Sequence, residues 1–371
     1  MMQKLSSLCL QPHMHSAQNV YRSDGELLIN AESSLCETLI CKIREWGLGS
    51  LAIQHPLFKQ AIPPELLPET DRVRAIVTLR ELYAQIPLTG TVNLPALAAC
   101  AHELLEVVRS RSKIMIHWGD LRTFDDYIYG HSVNVCILSL LVGIHRQLND
   151  ADLQDLALGA LAHDLGLMKV SPDIMNKPGK LTAEEIRLSR KHTEFAFDIL
   201  SACEPSLSRV AQLAVQHHEN VDGSGYPHGV QGNDLPELSR IVAIANMYDA
   251  LVTERPFRRA FLPHEACELL STLVNRYLDP DLLDLFLSFV AIYPTGSVVR
   301  VNTGEIGIVR TVPWRNATRP LLDIITDNHG HLLDTPQPLD LAIHKKSFIN
   351  KPLSDDEVIA LLAPSTVTTD V

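Results

Sequence analysis

The chain has 371 residues, 46% hydrophobic and 20% charged, with a formal net charge of −12. That length suffices for two or three domains with closed cores, and the composition is that of a globular chain, not a disordered one. The acidic balance excludes a general nucleic-acid binder, which needs a basic face, and leaves room for a small anionic ligand held through metal ions.

The first residues lack a sustained apolar stretch and a small-residue cleavage site, so no signal peptide is predicted. Residues 1–57 read as a small α+β module. Asn19–Arg22 and Glu26–Ile29 flank Ser23-Asp24-Gly25, a hairpin signal. Ser34 and Glu37 are spaced as a capping box for a helix that Gly47 closes, and Leu51–Gln54 reads as a returning strand. Four prolines between His55 and Thr70 mark a linker, within a linker-and-helical segment over 58–119.

From Asp71 to about Phe289 the apolar spacing is helical. Four faces stand out: Tyr127, His131, Val135, Leu138; Leu153, Leu156, Ala160, His163; Leu188, His192, Phe195, Ile199; and Val210, Leu213, Ala214, His217. Each carries a histidine toward the interior. The longest apolar run, Val135–Ile144, is too short to cross a bilayer, so no membrane span is expected. After Tyr293 the pattern turns to strands at Val298–Val301, Ile306–Val312 and Leu321–Ile325, separated by Asn302-Thr303-Gly304 and Asn328-His329-Gly330. Residues 291–345 are therefore expected to be a small, barrel-like β module. Ser354 and Glu357 cap a last helix in a tail over 346–371. Seven scattered cysteines without paired spacing read as reduced thiols of a cytoplasmic protein.

The chemistry concentrates in His163-Asp164 and in His217-His218-Glu219-Asn220, followed by Asp222-Gly223-Ser224-Gly225-Tyr226-Pro227. A His-Asp pair alone is a weak signal, and a lone inward histidine is more often a satisfied core residue than a ligand. Four helices each turning an imidazole to one core are different. Without a common partner they would leave buried polar nitrogens unsatisfied, and a metal supplies that partner.

The order Asp125-x-Tyr127-x-x-x-His131-Ser132, His163-Asp164-x-Gly166, Asn176-Lys177-Pro178-Gly179-Lys180-Leu181-Thr182, His192, His217-His218-Glu219-x-x-Asp222-Gly223-x-Gly225-Tyr226-Pro227, then Tyr248-Asp249-Ala250-Leu251 and Arg255-Pro256-Phe257, resembles the HD-GYP family over 120–290. The resemblance implies a mainly α fold, an HD-type helical bundle flanked by the small N-terminal α+β and C-terminal β modules. It implies two divalent ions, iron or manganese, and hydrolysis of cyclic di-GMP to pGpG or GMP through a metal-bridging hydroxide. Carried over by motif, His131, His163, Asp164, His192, His217 and His218 are the ligands, with Asp164 bridging. Lys180 and Arg255 are phosphate contacts, and Gly223, Gly225, Tyr226 and Pro227 shape the pocket. Tyr127 stands where three-metal variants carry glutamate, so two ions are expected.

Two positions depart from that pattern. Leu167 replaces the lysine of HD-x-G-K, and Lys169 lies too far around a helix to substitute for it. Asn246 replaces a metal-binding aspartate, which removes a charge from the site shared by His131, His163 and Asp164. These departures keep a second reading open: a degenerate domain that binds cyclic di-GMP or a signalling protein without turnover. A third, hydrolysis of another nucleotide, is disfavoured by the Gly-Tyr-Pro loop. The flanking modules are candidates for sensing or for holding a homodimer.

Overall fold

The computed structural model describes all residues except 1–2, 23–25, 47, 49, 59–60, 62–65, 118–126, 176, 178, 254–259 and 363–371. Strands β1 (Gln3–Ser6), β2 (His15–Ser16), β3 (Val20–Tyr21) and β4 (Leu27–Ile29) come first, β3 and β4 pairing as a hairpin, then helix α1 (Glu37–Glu45) and strand β5 (Ser50–Gln54). A helical stretch follows: α2 (Glu69–Ala84), α3 (Ile86–Thr89), α4 (Leu94–Ser110), α5 (Tyr127–His145), α6 (Asp150–Ala162), α7 (Pro172–Met175), α8 (Ala183–Arg190), α9 (His192–Cys203), α10 (Ser208–Gln216), α11 (Glu237–Val252), α12 (Pro263–Thr272) and α13 (Pro280–Leu287). Strands β6 (Val298–Val301), β7 (Ile306–Thr311), β8 (Leu321–Thr326), β9 (Leu332–Asp340) and β10 (Ile349–Pro352) precede helix α14 (Asp355–Leu362). Two compact units result, one of residues 1–20, 27–64 and 291–371, the other of residues 21–26 and 65–290.

The helical unit is organised around α5, buried without interruption from Gly130 to Gly143 and packed against α2, α4, α6, α11 and α13. A helix apolar on all sides belongs in a core. Among the described residues α5 is the one helix long and apolar enough to cross a membrane, and 78% of its apolar window is buried within the protein. Local signals set the neighbours. The Asn149 side chain accepts from the Asp152 N–H at 2.9 Å to start α6, and Thr182 with Glu185 forms a capping box that starts α8. The apolar face expected to run through Leu188, His192, Phe195 and Ile199 is broken: α8 ends at Arg190 and α9 starts at His192, with Lys191 between them.

In the other unit β5 is the middle strand of an antiparallel β1-β5-β2 sheet, as a returning strand should be. The expected capping box at Ser34 and Glu37 does not form. Ser34 pairs with His15 in an isolated bridge, and Cys36 precedes α1 without a side-chain cap. The hairpin tip at 23–25 and Gly47 lie outside the described residues. Strands β6 to β10 form an antiparallel sheet of order β10-β6-β7-β8-β9, open at both edges among the described residues, so it is not closed as a barrel. One face sends Val298, Ile306, Ile308 and Ile325 into a core with Leu5, Ile43, Leu51, Phe58 and Val358. The other face packs Val299, Val301, Val309 and Leu322 with Leu341 and Ile349. A sheet covered on both faces produces the continuous apolar runs read in the sequence. The structure thus joins segments that the sequence reading divides at 57 and 291, and β10 and α14 of the expected tail belong to the same unit. Ser354 and Glu357 do cap α14, with Glu357 N–H donating to Ser354 Oγ at 3.3 Å and Ser354 N–H to Glu357 Oε2 at 2.9 Å.

Candidate metal centre

Six predicted ligands converge in the helical unit. His131 lies on α5, His163 and Asp164 directly follow α6, His192 opens α9, and His217 and His218 directly follow α10. Two of these helices therefore end at the site, where the partial negative charge of a helix C-terminus favours a cation. His131, His163 and Asp164 form one group and His192, His217 and His218 a second, with ligand atoms of each group within 4.8 Å of one another. Asp164 faces both groups. Its Oδ2 is 3.7 Å from His131 Nε2 and 3.4 Å from His163 Nε2. Its Oδ1 is 3.4 Å from His192 Nε2 and 3.6 Å from His217 Nε2.

The rings are held in one tautomer. The Nδ1 atoms of His163, His192 and His217 each face a backbone carbonyl three residues earlier, at 2.8, 2.8 and 2.7 Å. A carbonyl only accepts, so each Nδ1 carries the proton. His131 Nδ1 faces the buried Asp249 carboxylate at 2.6 Å, with the same consequence. All four Nε2 lone pairs then point inward. His192 Nε2 and His217 Nε2 are 3.3 Å apart, and His163 Nε2 is buried with no hydrogen-bond partner. Neutral imidazoles with lone pairs this close repel unless a cation lies between them. The donor set, imidazole nitrogens with one shared carboxylate, suits first-row divalent metals.

Charge distribution agrees. Burial pulls His217 well below the usual imidazole range, aided by His218 and His163. Burial and His192 bring His218 down to about 3, and burial also lowers His192. These three rings are neutral at neutral pH, the form in which an imidazole can bind a metal. Burial would lower His163, but the Asp164 carboxylate outweighs it and the net shift is upward. Burial would raise Asp164, yet the imidazoles of His163, His192 and His217 hold its carboxyl well below the usual range. The carboxylate is ionised and ready to be shared.

The glycine-rich loop is fastened beside the second group. Buried Glu219 accepts from the backbone N–H of His228 and Gly229 at 2.7 and 3.1 Å through one oxygen, and from Val230 at 3.2 Å through the other. Tyr226 N–H donates to the His218 carbonyl at 3.1 Å, and the Tyr226 ring stacks on His218 with centroids 4.7 Å apart. Gly225 passes so close that a Cβ would lie 2.4 Å from Glu219 Cα and 2.5 Å from the His218 carbonyl oxygen. Pro227 follows Tyr226 through a cis peptide bond, and Gly223 takes a φ of +78°. Glu219→Gln keeps one acceptor oxygen and loses the charge that three N–H groups share. It should cost about 1–3 kcal/mol, read as a lower urea midpoint. An unchanged midpoint would mean the loop is held by something else.

Other predicted residues are placed differently. Asn246 is buried on α11, one turn before Asp249. Lys180 is exposed, as is Lys169, and Leu167 is half-buried. Arg255, Pro256 and Phe257, with Asp125, Asn176 and Pro178, lie outside the described residues. The Tyr127 ring stacks on His131, with centroids 5.2 Å apart. Asp249 and Glu219 lie within the sequence motifs without a role evident from the sequence. The first orients His131 and the second orders the loop. A carboxylate one helical turn beyond a suspected ligand position is the signal that was there to read. Arg190, whose guanidinium lies 4.6 Å from the centroid of the Tyr226 ring, has no such signal.

Residues 126–282 match the family described as HD domain, and residues 298–361 match the family described as KOW domain associated with HD domain. The chain is 33% identical over 221 residues to cyclic di-GMP phosphodiesterase PA4108 of Pseudomonas aeruginosa, covering 60% of this chain and 53% of that protein. It is 36% identical over 155 residues to 3'3'-cGAMP-specific phosphodiesterase 3 of Vibrio cholerae, covering 42% of this chain and 34% of the relative. The chain thus spans about half, or less, of the length of these curated relatives. The solved structure of Bd1817, a HDG"Y"P protein from Bdellovibrio bacteriovorus, overlaps 77% of this chain and 98% of its own with a TM-score of 0.44 and 18% identity. The candidate ligands and the Gly-Tyr-Pro loop thus all lie within the segment that matches the HD domain, and the segment that matches the associated KOW domain follows it.

Proposed function

We propose that the helical unit is a cytoplasmic metal-dependent phosphodiesterase that opens cyclic di-GMP to pGpG or GMP. One observation carries the reading: each oxygen of Asp164 faces a different pair of imidazoles whose lone pairs are turned inward. That arrangement suits a carboxylate shared by two ions. His131, His163 and Asp164 would hold one, with Asn246 beside them, and His192, His217, His218 and Asp164 the other. Iron or manganese fits this nitrogen and oxygen set. Bound there, two divalent cations supply Lewis acidity to the phosphodiester oxygens and to the attacking water.

The chain's own residues do the rest. Asp249 fixes His131, the Ala160, Ser189 and Ala214 carbonyls fix three other rings, and Glu219 holds the loop whose Tyr226 closes over His218. The relatives' names, phosphodiesterases of cyclic di-GMP and of 3'3'-cGAMP, support a cyclic dinucleotide as substrate. Protein purified anaerobically and assayed for metal should contain about two ions per chain and release pGpG from cyclic di-GMP faster than it opens 3'3'-cGAMP. Preference for 3'3'-cGAMP would move the substrate within the class. Tight cyclic di-GMP binding without product would favour the binding module that Leu167 and Asn246 suggest.

Asn246 supplies a direct check on the charge argument. It is buried one helical turn from Asp249 on the same face of α11. Asn246→Asp restores the carboxylate that the family pattern carries at this position, and metal affinity at the His131, His163 and Asp164 group should rise by about tenfold or more. Competition with a chelator reads this. Equal or weaker retention would show that the amide is the better partner.

A further inference from the structure

Phosphodiester cleavage builds negative charge on the phosphate, and a positioned cation aimed at that charge stabilises it. The segment leading into His192 carries Lys177, Lys180, Arg187, Arg190 and Lys191. Lys177 is taken by Glu185, both oxygens at 2.7 Å. Arg187 is taken by Glu184 through two hydrogen bonds of 2.9 and 2.6 Å. Arg190 is different. Among the described residues no carboxylate lies within ion-pair distance of its guanidinium, and its charged group sits over the Tyr226 ring at 4.6 Å. The same ring stacks on His218 and meets His192 edge-on at a centroid distance of 6.5 Å. The cation is therefore seated one aromatic ring away from two candidate ligands.

The backbone explains the placement. The turn between α8 and α9 is tied down by two bonds: His192 Nδ1 donates to the Ser189 carbonyl at 2.8 Å, and Thr193 Oγ1 donates to the Arg190 carbonyl at 3.1 Å. One turn thus orients a metal-site imidazole and presents an uncommitted guanidinium on the Tyr226 side. An aromatic face holds a guanidinium without neutralising it, leaving its N–H fork free for a bidentate oxyanion.

We propose that Arg190 is a substrate-phosphate contact of this site, held in place by Tyr226. The proposal rests on the phosphodiesterase reading for its substrate but not for its test. Inorganic phosphate binding to the metal-loaded full chain is measured by calorimetry at neutral pH, with metal content and melting temperature as controls. Arg190→Gln should weaken phosphate binding by about tenfold or more while retaining metal. Arg190→Lys should recover part of the loss, because it restores charge without the planar fork. Tyr226→Leu should weaken binding too, and adding Arg190→Gln to it should cost little more, since the cation has already lost its seat. Undiminished phosphate binding by Arg190→Gln overturns the proposal, as does wild-type protein that binds no phosphate. Failure of wild-type protein to turn over cyclic di-GMP, with phosphate binding still dependent on Arg190, would overturn the substrate reading and leave this contact standing.

Discussion

Asp164→Asn is expected to empty both halves of the metal centre at once and to lower turnover by about a thousandfold or more. The side chain keeps its shape but loses its charge, and one of its two acceptor oxygens becomes an NH2. That NH2 would turn toward one imidazole pair or the other, since each carboxylate oxygen faces a pair at 3.4–3.7 Å. Loss of an outer partner of a ligand commonly costs ten- to hundredfold in affinity, and removing the shared carboxylate should cost about a hundredfold at least. Metal analysis after dialysis, alongside a turnover assay, reads both effects. Retention of two ions and of activity would sink the idea that this carboxylate is shared.

Gly166→Ala is expected to give the largest stability loss of any small substitution in the helical unit. A Cβ there would stand 1.9 Å from the His192 carbonyl oxygen and 2.6 Å from the Ala196 nitrogen. Both obstacles are backbone, so no side chain can swing away. The turn after Asp164 must instead move off α9, which costs roughly 3–5 kcal/mol. For a unit of this size that is about 10 °C in melting temperature. His192 sits at the contact, so metal retention should fall with stability. Gly143→Ala is the comparison. Its Cβ would meet the methyl ends of Leu156, Leu153 and Leu148, at 2.7, 3.0 and 3.3 Å, and those side chains can rotate. A small effect at Gly166 would mean the turn has slack that the packing does not reveal.

The candidate ligands were legible because each lies where a regular apolar spacing turns a polar ring inward. His131, His163 and His217 could be read as inward-facing from periodicity, and the convergence from the cost of burying unpaired nitrogens, whereas the spacing that picked out His192 crosses a helix break. The break at Lys191 was not legible. The apolar spacing runs straight through it, although α8 ends at Arg190 and α9 starts at His192. Strand β9 was missed because it carries Pro336 and Pro338. Prolines argue against an interior strand, but β9 lies at a sheet edge, where they are tolerated. Arg190 was missed because a cation near a helix C-terminus has an ordinary structural explanation. The aromatic ring that gives it another use comes from a loop more than thirty residues later.

The core shared by Leu5, Ile43, Leu51 and Phe58 with Val298, Ile306 and Ile325 has a consequence in time. The first group leaves the ribosome more than two hundred residues before its partners exist. At about 5–20 residues per second the wait is roughly ten to fifty seconds. The helical unit is completed during that interval, whereas the early strands must keep an apolar face in water until β6 to β8 are made. Nascent chains should therefore engage chaperones through residues 3–58, and the helical unit should be folded before the segment that precedes it in the sequence.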